Sequence, residues 1–189
     1  MKTVHNAVTL LATLSCLAVA QAVRPADGCP DLENKDAAAH LEYLRADRSA
    51  LAPDCAVAAM RFLAAKRYPQ ASSVLIHYLD YRVRSHMKAP LTPLIYPAVD
   101  ALYSLGKQVV PELVAAISDG ATTDLARQNA AETIFLIYGT KPEGIAVLVV
   151  AAHAESDVLS AVRLMDQARR LAGRCPAATR NDCENAVLK

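Results

Sequence analysis

Histidine, cysteine, serine and the carboxylates are the side chains that do most protein chemistry, and in this sequence their spacing is uninviting. Past the amino-terminal apolar run the histidines are His40, His77, His86 and His153. No two sit three or four apart, and no His-Glu-x-x-His occurs, so no helix offers a pair of imidazoles to a metal. His77 and His86 flank Tyr78 and Tyr81 and would converge only if the helix broke after Arg84. Ser72, Ser73 and Ser104 lack the glycine-flanked strand-to-helix elbow of a serine nucleophile, and Cys55 falls on an apolar helix face. Asp119, Asp124 and Asp157 stand at turns and helix starts, where capping and the helix dipole account for them. The residues therefore point to no catalytic centre, no metal and no cofactor. The competing reading is an extracytoplasmic enzyme, or an enzyme's accessory subunit, whose active site assembles from scattered positions.

The cysteines carry a clearer message. Lys2 and His5 precede an uncharged run from Ala7 to Ala20, closed by Ala20-Gln21-Ala22. A basic start, a short apolar stretch and a small-residue exit describe a secretory signal peptide over 1–22, cut after Ala22. The run is shorter than the roughly 20 residues needed to span a bilayer. Cys16 raises lipidation, but Thr13 stands where a lipoprotein signal wants a leucine-like residue. Residues 23–189 then form one domain of secreted or periplasmic address, holding Cys29, Cys55, Cys175 and Cys183. Four cysteines in an oxidising compartment favour two disulfides. Three pairings are open, and proximity in sequence favours Cys29–Cys55 with Cys175–Cys183. Zinc competes poorly, because there is no C-x-x-C and no histidine near either pair.

The elements that must position these residues are helices. Of 189 residues 53% are hydrophobic and 21% charged, with a net charge of +1, which excludes disorder and a surface dominated by nucleic-acid binding. Proline and capping residues recur ahead of apolar residues at helical spacing. Asp36 to Arg48 reads as a helix. Pro53 opens a second, and Pro69 opens a third of some 17 residues despite the strand-like Val74-Leu75-Ile76. Thr92-Pro93 offers a cap, with Pro97 forcing either a kink or a true start near Tyr96. Pro111, Thr122 or Thr123, Pro142 and Ser156-Asp157 open the rest, and Gly106, Gly120, Gly139 and Gly173 close them. The fold class is all-α, with about eight helices on short connections.

Three segments align on Pro69, Pro111 and Pro142, at spacings typical of helical solenoids. The clearest unit, Val110 to Tyr138, has a proline at the start of its first helix, Asp119 at the turn, Arg127 early in its second helix and Ala130-Ala131 for close packing. Lys141 to Gly173 repeats the proline, a Ser156-Asp157 turn and Arg163; Tyr68 to Gly106 is looser. On these residues the chain resembles the HEAT-type (armadillo-like) helical repeats over roughly 53–173, with 174–189 a disulfide-closed tail. The resemblance implies an α-α superhelix of three to four helix pairs and binding along a curved face. It implies no chemistry.

That face, lined by the second helices, is expected to bind a protein partner through Asp100, Gln128, Glu132 and Gln167, with Tyr103 as an aromatic anchor. A second candidate is electrostatic. Residues 61–88 carry six basic side chains, Arg82 and Arg84 among them, against Asp80, and could meet an anionic partner surface. Residues 112–157 are acidic, with seven carboxylates against Arg127 and Lys141. No nucleic acid and no membrane span after signal cleavage are expected.

Overall fold

In the computed structural model, residue 29 and residues 32–83 and 95–188 are described, and every described element is helical. The signal segment, Cys16, Arg84, His86 and the Thr92-Pro93 cap lie outside the described residues. The helices are α1 (Ala37–Arg45), α2 (Pro53–Ala65), α3 (Ser72–Ile76), α4 (Pro97–Leu105), α5 (Val110–Ser118), α6 (Asp124–Ile137), α7 (Pro142–Ala154), α8 (Val158–Ala172) and α9 (Arg180–Val187), with short 3-10 turns between some of them.

The punctuation works as read. Asp36, Thr123 and Asp157 are side-chain N-caps of α1, α6 and α8, accepting from the amides of Ala39, Ala126 and Ser160. Such a side-chain oxygen satisfies one of the amides that a helix start leaves without an internal partner. Pro53, Pro97, Pro111 and Pro142 occupy the first turns of α2, α4, α5 and α7. At Pro97 the alternative resolves as a start rather than a kink, with Tyr96 in the cap position. Past α6, Gly139 takes a left-handed φ of 69°, and the amide of Thr140 closes back on the carbonyl of Phe135 at 2.8 Å.

Three elements differ from the sequence reading. The helix opened by Pro69 is far shorter than expected. After Ile76 the chain tightens into i→i+3 bonds, Tyr78 to Leu75 and Leu79 to Ile76. Long-range contacts hold it there: the Tyr78 hydroxyl donates to the Leu44 carbonyl at 2.8 Å, and Asn129 Nδ2 donates to the Leu79 carbonyl at 2.6 Å. Helix α1 stops at Arg45, because Asp47 caps a separate 3-10 turn over Arg48–Ala50. The tail is also more ordered than a closed loop, since α9 packs on both α7 and α8.

Both sequence-local disulfides form, Cys29–Cys55 and Cys175–Cys183. Such bonds persist in oxidising compartments. One continuous core runs between them through Leu63, Leu75, Leu102, Leu113, Ile134, Leu148 and Leu164, all fully buried. Helix α6 is its axis and packs against α4, α5, α7 and α8. Gly144 lets α7 cross α6 closely, for a Cβ there would stand 3.2 Å from the Phe135 Cα and 3.3 Å from the Tyr138 Cβ. Among the described residues no helix is long and apolar enough to cross a membrane.

Candidate functional site

The expected binding face rests on α4, α6 and α8, and these helices do lie side by side: α4 packs on α6, and α6 on α8. Their turns are fixed by arginines acting on backbone carbonyls. Arg127 donates to the carbonyls of Asp119 (3.1 Å) and Thr122, while Asp119 accepts from the amide of Ala121 at 2.9 Å. Both residues thus serve the α5–α6 turn. Arg163 and the Ser160 hydroxyl converge on the Ser118 carbonyl at 2.8 and 3.1 Å, tying α8 to the end of α5. These bonds satisfy carbonyls that a helix end leaves over, and they position the rest of the face.

On α4, Asp100 and Tyr103 lie one turn apart. Tyr103 keeps 47% of its surface exposed, although Val99, Leu102 and Leu105 of the same helix are buried. Desolvation raises the Asp100 carboxyl above its ordinary value, and the charge of Arg61 on α2 opposes that shift. Gln128 on α6 and Gln167 on α8 are brought together by Arg170. Its Nη2 donates to the Gln128 carbonyl and its Nε to Gln167 Oε1, both at 2.9 Å. Burial lowers the pKa of Arg170, the neighbouring Arg174 charge adds to the effect, and Glu132 counters it.

Glu132 does not face outward as expected. Its side chain is 8% exposed, and the Arg174 guanidinium grips both carboxylate oxygens, one of them at 3.1 Å. The reason is the central position of α6. With neighbours on several sides, residues 129–135 are all buried, so a single inward stripe does not describe them. Glu132 therefore belongs to the scaffold and leaves the list of contact candidates. Arg82 is exposed just after α3, as are Arg61, Lys66 and Arg67 of the same basic stretch.

Two grooves escaped the sequence reading. One, of about 580 Å³, runs between α3 and α5. Its walls are two matched stripes, Ser73, Ile76, His77 and Asp80 against Glu112, Ala115, Ala116 and Asp119. Asp80 is already bridged by Arg48 at 2.7 Å, and His77 Nδ1 sits 2.7 Å from the Ser73 carbonyl. The other, of about 700 Å³, lies between α7 and α9 and includes Val149, Val150, Ala186 and Leu188. Its sequence signal was present in the unbroken apolar run of α7. The opposing wall was hidden because the tail was not read as a helix.

Among the described residues no three His, Cys, Asp or Glu side chains come together as metal ligands. Compared with models of protein families, with curated proteins and with solved structures, the chain finds no match in any of the three.

Proposed function

We propose that this protein is a non-catalytic interaction module of an extracytoplasmic compartment, secreted or periplasmic. In this reading it is built as HEAT-like stacked helix pairs and binds a protein partner across α4, α6 and α8. The observation that carries the reading is Tyr103: a half-exposed aromatic on a helix whose other large apolar residues are buried, one turn from the partly desolvated Asp100. Interfaces concentrate their binding energy in aromatic anchors of this kind, ringed by polar groups. Gln167, whose side chain accepts from Arg170, and the exposed Gln128 supply polar contacts on the neighbouring helices. The two disulfides support the compartment.

The test is partner capture from the protein's own extracytoplasmic fraction, with a photo-cross-linker at position 103, 128 or 167. Tyr103→Ala should weaken capture about tenfold or more while leaving the melting temperature unchanged. Normal capture by that variant, with salt-sensitive loss on neutralising Arg82 and Arg84, would move the site to the basic segment 61–88 and an anionic partner surface. Turnover of a small molecule that disappears with one His or Asp substitution would sink the non-catalytic reading.

A further inference from the structure

Helix α7 poses a burial problem. Residues 144–152 contain no polar side chain, so the helix is apolar around its whole circumference. A helix of that composition normally lies inside a protein. Here Ile145, Leu148, Val149 and Ala152 turn into the core, while Val150 on the other side remains 68% exposed. Leu188, across the groove beyond α9, is 82% exposed. Apolar side chains left bare on both walls of one groove mark a surface made to be covered.

The sequence of the exposed stripe identifies its occupant. Along the groove α7 presents Glu143, Ala146, Val150 and His153, spaced i, i+3, i+7 and i+10 and thus on one side of the helix. An acid stands at one end, an imidazole at the other, with a small and a larger apolar residue between. The order is self-complementary. Laid antiparallel on a copy of itself about a two-fold axis at Leu148, the stripe sets Glu143 against His153 of the second copy. Ala146 then faces Val150 of the second copy, and each contact recurs by symmetry. A closed two-fold interface requires this property, in which residue i meets j and j meets i. The small Ala146 leaves room for the opposing valine. Among the described residues, neither the Glu143 nor the His153 side chain has an ion-pair or hydrogen-bond partner.

We propose that the groove between α7 and α9 takes α7 of a second copy of this chain, giving an isologous dimer whose centre lies between Ala146 and Val150 and whose two ends are closed by Glu143–His153 pairs. The surface is distinct from the α4–α6–α8 face, so partner binding and self-association can be tested separately.

Sedimentation of the full chain over a wide concentration range should show monomer passing into dimer. Val150→Glu should hold the chain monomeric at every concentration and melt where the dilute, monomeric wild type does, because the side chain is exposed in the monomer. Glu143→Lys should weaken the dimer about tenfold, since two exposed charge pairs are lost together. Adding His153→Glu should restore association by exchanging the two charges. A wild-type chain that stays monomeric throughout would overturn the proposal. So would a Val150→Glu chain that dimerises normally, or a double exchange no tighter than Glu143→Lys alone.

Discussion

The two ends of this molecule reach one result by different means. Around α1–α3 two of the three helices are short, nine residues in α1 and five in α3, and non-local polar contacts hold them. The hydroxyls of Tyr78 and Tyr81 donate to the carbonyls of Leu44 and Pro53, and the Arg48 guanidinium lies over both rings at 5.4 and 5.0 Å. From α6 to α8 the helices run to 13–15 residues, and arginines fasten them through turn carbonyls and Glu132. Short helices leave a larger share of their backbone groups at the ends, so α1 and α3 depend on side chains that reach across sequence. Longer helices satisfy themselves internally and need fastening only where they turn. Stability in the first region should therefore be concentrated in a few contacts, and in the second it should be spread along apolar faces.

Removing the disulfides is the strongest challenge to that contrast. On the chain-entropy model, replacing Cys29 and Cys55 by serine costs about 3.5 kcal/mol, and replacing Cys175 and Cys183 about 2.5 kcal/mol. Chemical denaturation of the two double variants measures both. Hydrogen exchange should then show α1–α3 opening ahead of the rest in the first variant, and only α9 released in the second. Uniform loss of protection in either variant would erase the distinction between the regions.

A smaller effect sharpens it. Glu132→Gln removes the carboxylate from under Arg174, and because Arg174 is half exposed the loss is set at about 2 kcal/mol, below the range for a fully buried pair. Tyr78→Phe takes away one buried hydroxyl bond and should cost about 1 kcal/mol. In a double-mutant cycle, Arg174→Gln should recover part of the Glu132→Gln penalty, while combining Tyr78→Phe with Glu132→Gln should be additive.

The smallest effects are electrostatic, and their sign depends on place. Hydrogen bonds from Ser160 lower the Asp157 carboxyl, and the amide of Ser49 lowers that of Asp47. Each then brings stability that is present above the ordinary carboxyl range near pH 4 and is lost as pH falls through the lowered folded value. Asp100, raised by desolvation, has the opposite sign. Its contribution is present below the ordinary value and lost as pH rises through the raised one. Melting curves at pH 7 and pH 3 should show Asp157→Ala destabilising more at pH 7 than at pH 3, whereas Asp100→Asn is neutral or slightly stabilising at pH 7.

What could be read in advance was local. Thr123, Asp157, Pro97, Pro111 and Pro142 announce helix starts because capping and first-turn geometry involve neighbouring residues only. The disulfide pairing was legible for a similar reason, each bridge joining cysteines close in sequence. The early end of α3 was not legible, because it follows from Asn129 and Leu44, which are distant in the chain. Nor was the burial of Glu132. Its partner lies 42 residues on, just past the glycine that ends α8, and α6 has neighbours where a two-sided helix would have solvent. Of the expected contact residues, Asp100, Tyr103 and Gln128 do reach the surface.

The two disulfide loops occupy separate stretches of the chain, with about 120 residues between Cys55 and Cys175. In a chain that is made and delivered amino end first, this separation orders events in time. At about 5–20 residues per second, Cys29 and Cys55 are together for several seconds before any later cysteine arrives. Among these four cysteines, an oxidant met as the chain arrives then has one choice of partner at each step. In such a chain the order of synthesis disfavours scrambled linkage among them.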